Sequence, residues 1–167
     1  MGQRRHVHCG ASRSGHSFQT LRRNPHGCQF AGLGSGRRRD VTSHGIGLLA
    51  LLFAVHFLGD FTPLATRRML EAKAVGKPLG PIASHAVVHG ILVGFAVALV
   101  VRPGPGLIGM AALVEFGAHL AIDWVRGRLG GHWPMLSDPA AQAYWTALGL
   151  DQLAHALVLV GIAALVL

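Results

Sequence analysis

Charged residues are scarce in this sequence. Asp, Glu, Lys and Arg make up 13% of its 167 residues, whereas ordinary soluble domains carry about 25%. Hydrophobic residues make up 51% and the mean hydropathy is +0.44. A soluble domain of this composition would lack the polar side chains that cover a surface in water. The length suits one domain, and the composition favours a membrane protein.

Cysteine is nearly absent, since the chain contains only Cys9 and Cys28. Two cysteines are too few for a disulfide-dense secreted fold. Their spacing, even together with the nearby histidines, matches no established zinc-binding pattern. We therefore interpret them as incidental thiols.

Acidic residues are almost missing from the N-terminal quarter. Residues 1–42 contain eight arginines against one acid, Asp40, while residues 43–167 contain seven basic and six acidic residues. The net charge of +8 thus belongs to the tail and gives no support for nucleic-acid binding by the rest. The tail has no apolar period, which predicts disorder. Its Arg-rich composition resembles a transit peptide, but we favour a mis-called upstream extension, with the true start near Val41.

Four apolar segments follow the tail, each with about the 20 residues needed to cross a hydrocarbon core. Together they predict an all-α polytopic membrane protein whose four transmembrane helices form two similar helical hairpins. A soluble bundle is disfavoured because residues 86–101 contain one polar side chain, His89, and no solvent-facing stripe. The predicted spans are residues 43–62, 81–101, 107–125 and 146–167.

The connecting segments predict an orientation. Basic residues are concentrated in residues 64–80 and at the start of residues 126–145. The positive-inside rule therefore places both segments in the cytoplasm, and the turn at Arg102 on the other side. Basic and apolar residues alternate in residues 64–77, which favours a short helix in the membrane interface. We predict a multi-pass protein of the bacterial cytoplasmic membrane.

Eight ionisable residues interrupt the apolar segments as four pairs with i,i+4 spacing. Such residues lie on one face of a helix. Ionisable side chains are costly at membrane depth, so they tend to face a bundle interior and mark function. The predicted orientation brings all four pairs to one depth near the cytoplasmic side. The pairs are His56/Asp60, His85/His89, His119/Asp123 and Asp151/His155.

Imidazole and carboxylate groups are ligands for divalent metal ions, which here would be zinc, manganese or iron. Three or four such ligands with one open position form a catalytic site of the zinc type. We therefore predict that all eight residues are metal ligands or orient the ligands. Glu115 lies four residues before His119 and is a ninth candidate. A metal-free network of His–Asp pairs that stabilises the bundle is the alternative.

The same residues resemble the motifs of an uncharacterised family of small bacterial integral-membrane proteins, classed as a domain of unknown function. The resemblance covers residues 45–165 and implies a membrane bundle with a polar centre, but no reaction. The motifs are His56-Phe-Leu-Gly-Asp60-Phe61, His85-Ala-Val-Val-His89, His119-Leu-Ala-Ile-Asp123 and Asp151-Gln152-Leu-Ala-His155.

Three functions are compatible with such a centre. The first is a metal-dependent hydrolase that acts on an anionic, membrane-lipid-like substrate, with Asp60, Asp123 or Asp151 as general base. The second is a protein that binds or transports metal ions or protons, which with only four spans would need to form a homo-oligomer. The third is a structural membrane subunit with a metal-free polar core.

Overall fold

Five α-helices and a short 3₁₀ helix form the part of the chain that the computed structural model describes, residues 35–167, with side chains from residue 44 onward. The disorder was predicted for residues 1–42, of which residues 1–34 lie outside the described range. The first helix begins at Ser35, within the last part of the predicted tail. The helices are α1 (Ser35–Phe61), α2 (Arg67–Val75), α3 (Leu79–Val100), α4 (Pro105–His132) and α5 (Gln142–Val166), and the 3₁₀ helix is Pro134–Leu136.

Four of these helices are long and apolar enough to cross a membrane, namely α3, α4, α5 and the His44–Phe61 part of α1. The predicted all-α fold with four membrane-spanning helices is therefore confirmed, and the chain is a multi-pass membrane protein. The third predicted span, residues 107–125, is shorter than α4. At 1.5 Å per residue the 28 residues of α4 extend about 42 Å, beyond a hydrocarbon core of about 30 Å.

The long helices close a ring in which α3 packs against α1 and α4, and α5 packs against α4 and α1. The closest packing in this ring is between α3 and α4, where glycines replace larger side chains. A Cβ atom on Gly90 would lie 2.9 Å from the Ala112 carbonyl oxygen, and one on Gly94 would lie 3.3 Å from the Ala112 Cβ. Small residues spaced by four allow this close approach of two helices in a membrane.

The short helix α2 lies against α3 and α4 at the end of the bundle where α1 ends, which we call the α2 end. The Thr66 hydroxyl accepts a hydrogen bond from the Met69 amide at the start of α2. Gly76 ends the helix with φ of 68°, a conformation that favours glycine. Gly127 of α4 faces the backbone of α2, and a Cβ atom there would overlap the Lys73 carbonyl oxygen. Backbone contact therefore fixes α2 on α4.

The interior of the bundle has two parts. The half away from the α2 end is an apolar core of tightly buried aliphatic side chains. The half toward the α2 end contains the buried histidines and carboxylates. The largest fully buried side chains of the apolar half are Leu48, Leu52, Val93, Val97, Leu159 and Ile162.

Candidate metal centre

All eight predicted residues meet in one cluster inside the α2 end of the bundle. The i,i+4 spacing puts both members of each pair on the inward face of their helix, as the sequence predicted. Glu115 of α4 joins them, and Lys73 reaches in from α2. His89, His119 and Asp123 have no exposed surface. The cluster is thus shielded by the four long helices and by α2.

Five imidazole rings occupy the middle of the cluster. The His119 ring stacks on the His89 ring with centroids 3.7 Å apart, and its centroid lies 4.2 Å from that of His155. The His85 and His56 rings lie 5.1 Å and 5.5 Å from His119. Five potential nitrogen ligands from four helices therefore surround one small volume.

Gly59 explains how α1 approaches this volume. A Cβ atom at this position would overlap the His89 ring. The glycine between His56 and Asp60 therefore leaves the space that the imidazole of α3 fills. This accounts for the Gly in the first motif.

Asp60 of α1 accepts several contacts through a single oxygen. Its Oδ1 lies 2.9 Å from His85 Nε2, 3.2 Å from Lys73 Nζ and 3.5 Å from His89 Nε2. Its Oδ2 lies 3.6 Å from His56 Nε2 on the preceding helical turn. Asp60 therefore links α1 to both α2 and α3.

Asp123 of α4 occupies the facing side. Its Oδ1 lies 2.9 Å from Lys73 Nζ and 3.4 Å from His155 Nε2, and its Oδ2 lies 3.4 Å from His119 Nε2. Glu115 lies on the same helix, one turn before His119, and its Oε1 is 3.3 Å from His119 Nδ1. Both carboxylates thus contact the central His119.

Lys73 connects the carboxylates of Asp60 and Asp123 through one ammonium group. Burial acts to lower the pKa of this amine, but the charges of Asp123 and Asp60 outweigh burial and raise it above its usual range. Lys73 is therefore a permanent positive charge at the α2 end, with a side chain 19% exposed.

Three overlapping groups within the cluster place their ligand atoms within 4.8 Å of one another, which is compatible with a shared metal ion. His119 belongs to all three groups. Asp151 belongs to none of them, and its contact with the cluster is a 3.9 Å approach to His155. The groups are His56 with His89, Glu115 and His119; Asp60 with His85, His89 and His119; and His119 with Asp123 and His155.

The contacts among these side chains leave many polar atoms without a hydrogen bond, although several of these atoms lie within 4.0 Å of an oppositely charged group. Eleven buried side-chain nitrogens and oxygens of the cluster make no hydrogen bond within the described part of the chain, including both ring nitrogens of His56 and of His89. Buried polar groups are costly unless they are paired. A metal ion would pair several of them, since imidazole nitrogens and carboxylate oxygens are its natural ligands. The donor set therefore fits a divalent cation.

The formal charge of the cluster is a second reason to expect a bound cation. The cluster contains four carboxylates, from Asp60, Glu115, Asp123 and Asp151, and Lys73 supplies the only Lys or Arg ion pair to them among the described residues. Four ionised carboxylates beside neutral imidazoles would exceed the single charge of Lys73 by three. Buried unpaired charge is costly, so an added cation would stabilise this arrangement.

Asp151 lies where the cluster approaches the outer surface of the bundle. It lines an apolar groove of about 400 Å³ between α4 and α5, together with Ile122, Val125 and Ala154. Arg126 also lines this groove. The Asp151 Oδ2 accepts a hydrogen bond of 3.2 Å from the neighbouring Gln152 amide. Asp151 is therefore the cluster carboxylate that borders this groove.

Lys73 is the member of the cluster that the sequence analysis did not assign to it, since it was counted among the basic residues of the interface. A signal was present. Met69, Ala72, Lys73 and Gly76 share the i, i+3, i+4, i+7 spacing of one helical face, and they are buried or half-buried. The exposed Arg67 and Arg68 lie off this face.

Comparison with known proteins gives one family and no activity. The family described as Protein of unknown function (DUF3307) matches this chain over residues 48–167. No curated protein and no solved structure matches it.

Proposed function

The chain belongs to the family described as Protein of unknown function (DUF3307), and since this membership supplies no activity, we propose a function from the centre itself. The protein is a metal-dependent hydrolase of the bacterial cytoplasmic membrane, and its substrate is an anionic lipid or a lipid-like ester. The observation that carries the proposal is the convergence of five histidines and four carboxylates, eleven of whose atoms lack hydrogen-bond partners.

The residues have distinct roles in this proposal. The histidines, with Glu115, Asp60 and Asp123, are the candidate ligands for zinc, manganese or iron. When bound, a divalent metal ion supplies a nucleophile at neutral pH by lowering the pKa of a water molecule. Asp151 lies outside the ligand groups and lines the groove between α4 and α5, so it is our candidate for the general base.

The groove between α4 and α5 supports a lipid-like substrate. Its walls are apolar, and it joins Asp151 to the bundle surface that faces lipid. An acyl chain in the groove would place the polar end of the lipid near Asp151, and Arg126 would attract an anionic headgroup. In the reaction, water adds across the ester bond. Asp151 accepts a proton from the attacking water as the water oxygen bonds to the acyl carbon, and it returns this proton to the alcohol oxygen as the ester C–O bond breaks.

The alternatives have less support. A transport pathway would need polar groups along the whole bundle, but its other half is the aliphatic core around Leu52, Val97 and Ile162. A metal-free structural core would satisfy its own polar atoms, but both ring nitrogens of His56 and of His89 make no hydrogen bond among the described residues.

The first test is elemental analysis of the detergent-purified protein beside the variant His85→Ala/His89→Ala. We expect about one or two zinc, manganese or iron ions per chain in the parent and no stoichiometric metal in the variant, which still inserts in the membrane. Both proteins are then incubated with mixed micelles of phosphatidylglycerol or of phosphatidylcholine, and the products are identified by mass spectrometry. We expect hydrolysis of the anionic lipid by the parent alone.

The metal analysis and the lipid assay test two separate claims, the metal centre and the substrate class. A parent without stoichiometric metal, even after zinc, manganese and iron are added, would exclude the metal centre. A parent that binds metal but hydrolyses neither lipid would retain the metal centre and exclude the proposed substrate class.

A further inference from the structure

Lys73 is the cluster residue to which the proposed function gives no role. We infer that the space between Asp60 and Asp123 is a second cation position, which the Lys73 ammonium fills from within the chain. The centre would then bind one divalent ion where two could otherwise fit. This inference rests on the proposed metal centre.

The geometry of the ammonium is that of a bridging cation. Lys73 Nζ lies 2.9 Å from Asp123 Oδ1 on α4 and 3.2 Å from Asp60 Oδ1 on α1. The same two oxygens lie 3.4 Å from His155 Nε2 and 2.9 Å from His85 Nε2. Two carboxylates therefore hold the ammonium between them, and each of these carboxylates also contacts an imidazole. Carboxylate oxygens are ligands for divalent metal ions.

Another position remains available while Lys73 is in place. One ligand group consists of His56, His89, Glu115 and His119, which includes neither carboxylate that Lys73 contacts. The other two groups each use Asp60 or Asp123. A divalent ion at either of these would lie next to the ammonium, and like charges at such a distance repel strongly in a buried site. The first ion is thus expected among the three histidines and Glu115.

The fold holds Lys73 in this position through its main chain. The Lys73 carbonyl oxygen lies against Gly127, where any Cβ atom would overlap it. The side chain is 19% exposed, so the ammonium lies between the buried cluster and the α2 end. Lys73 is therefore a built-in counter-ion that also limits how many metal ions the centre accepts.

The test is the number of metal ions per chain after removal of the lysine charge. The parent, Lys73→Met, Lys73→Gln and Lys73→Arg are purified with excess zinc, dialysed and measured by elemental analysis. Titration with cobalt, followed by visible absorption, gives a second readout of the number of sites. Lys77→Met is the matched control, because Lys77 is exposed just after α2.

We expect about one ion per chain in the parent, in Lys73→Arg and in Lys77→Met, and about two in Lys73→Met. Lys73→Gln still donates hydrogen bonds to the carboxylates, so it decides the result if the Met variant does not fold. One ion in the parent and one in the neutral variants would overturn the inference and leave the metal centre intact. Two ions in the parent would also overturn it. A parent with none would exclude the metal centre itself, and the inference with it.

Discussion

At the scale of single residues, Asp151 is distinguished from the other carboxylates by its partners. Asp60 and Asp123 both contact the Lys73 ammonium and belong to ligand groups. Asp151 contacts Gln152 and His155 and lines the groove between α4 and α5. A residue that accepts a proton from water needs a free oxygen and access to the substrate. Asp151 is the carboxylate that lines the groove and belongs to no ligand group, which makes it the candidate for this role.

We therefore expect Asp151→Asn to retain the metal content of the parent but to lose hydrolysis by about 100-fold or more, the usual contribution of a general base. Metal content is measured by elemental analysis and activity with phosphatidylglycerol micelles. Asp138→Asn, in the exposed loop before α5, is the control for loss of a carboxylate near the same end of the bundle. If Asp151→Asn lost its metal, Asp151 would be a ligand or would orient one.

The sequence predicted most of the cluster because ionisable residues stand out within apolar segments. In a membrane-spanning run of Leu, Val and Ala, an i,i+4 pair of His or Asp finds polar partners by facing the bundle interior. Lys73 could not be found in this way. It lies on a short helix with Arg67, Arg68 and Lys77 nearby. The positive-inside rule already explains basic residues at a membrane interface, so nothing in the sequence set Lys73 apart from its neighbours. Only the packing of α2 on α4 distinguishes it.

At the scale of elements, the packing of α2 depends on a glycine near the end of α4. A Cβ atom on Gly127 would overlap the backbone of Lys73 and Gly76, whereas one on Gly131 would make an ordinary contact of 3.8 Å with the Val75 carbonyl oxygen. Backbone atoms cannot move aside as a flexible side chain can, so Gly127 is the position at which a methyl group must displace α2.

We expect Gly127→Ala to loosen α2 and to speed amide hydrogen exchange in residues 67–75, while Gly131→Ala leaves it unchanged. Overpacking of this kind typically costs about 1–3 kcal/mol. Exchange is measured by mass spectrometry on both variants in the same detergent. Equal exchange in Gly127→Ala and the parent would mean that side-chain contacts, including the Lys73 ion pairs, hold α2 without the backbone contact.

The helix boundaries show what apolar sequence can and cannot predict. The spans predicted for α3 and α5 lie within four residues of the observed helix boundaries, because hydrocarbon thickness fixes their length. The α4 prediction ended at Val125, where the apolar run ends, but the helix continues to His132. Past Val125 the helix is supported by α2, and a contact between segments far apart in sequence leaves no periodic signal. The position of α2 was missed for the same reason.

At the scale of the whole molecule, the bundle has unlike ends. The polar centre, α2 and the basic residues Arg126 and Arg128 lie toward one end, and the aliphatic core and the turn at Arg102 lie toward the other. Trp124, Trp133 and Trp145 are exposed at the α2 end, as expected for an aromatic belt at a membrane interface. The positive-inside rule therefore predicts that the α2 end faces the cytoplasm, and the proposed substrate would then reach the centre from the inner leaflet.

Single cysteines in the two types of loop test this orientation, after Cys9→Ser and Cys28→Ser remove the native thiols. Gly104→Cys lies in the α3–α4 turn, and Ala140→Cys lies in the exposed loop before α5. We expect a membrane-impermeant maleimide to label Gly104→Cys in intact cells and Ala140→Cys only after permeabilisation, because most basic loop residues lie with Ala140. The reverse pattern would place the His/Asp cluster at the outer face. The proposed hydrolase would then draw its substrate from the outer leaflet. The basic residues near α2 would bind the anionic substrate and would not set the membrane orientation.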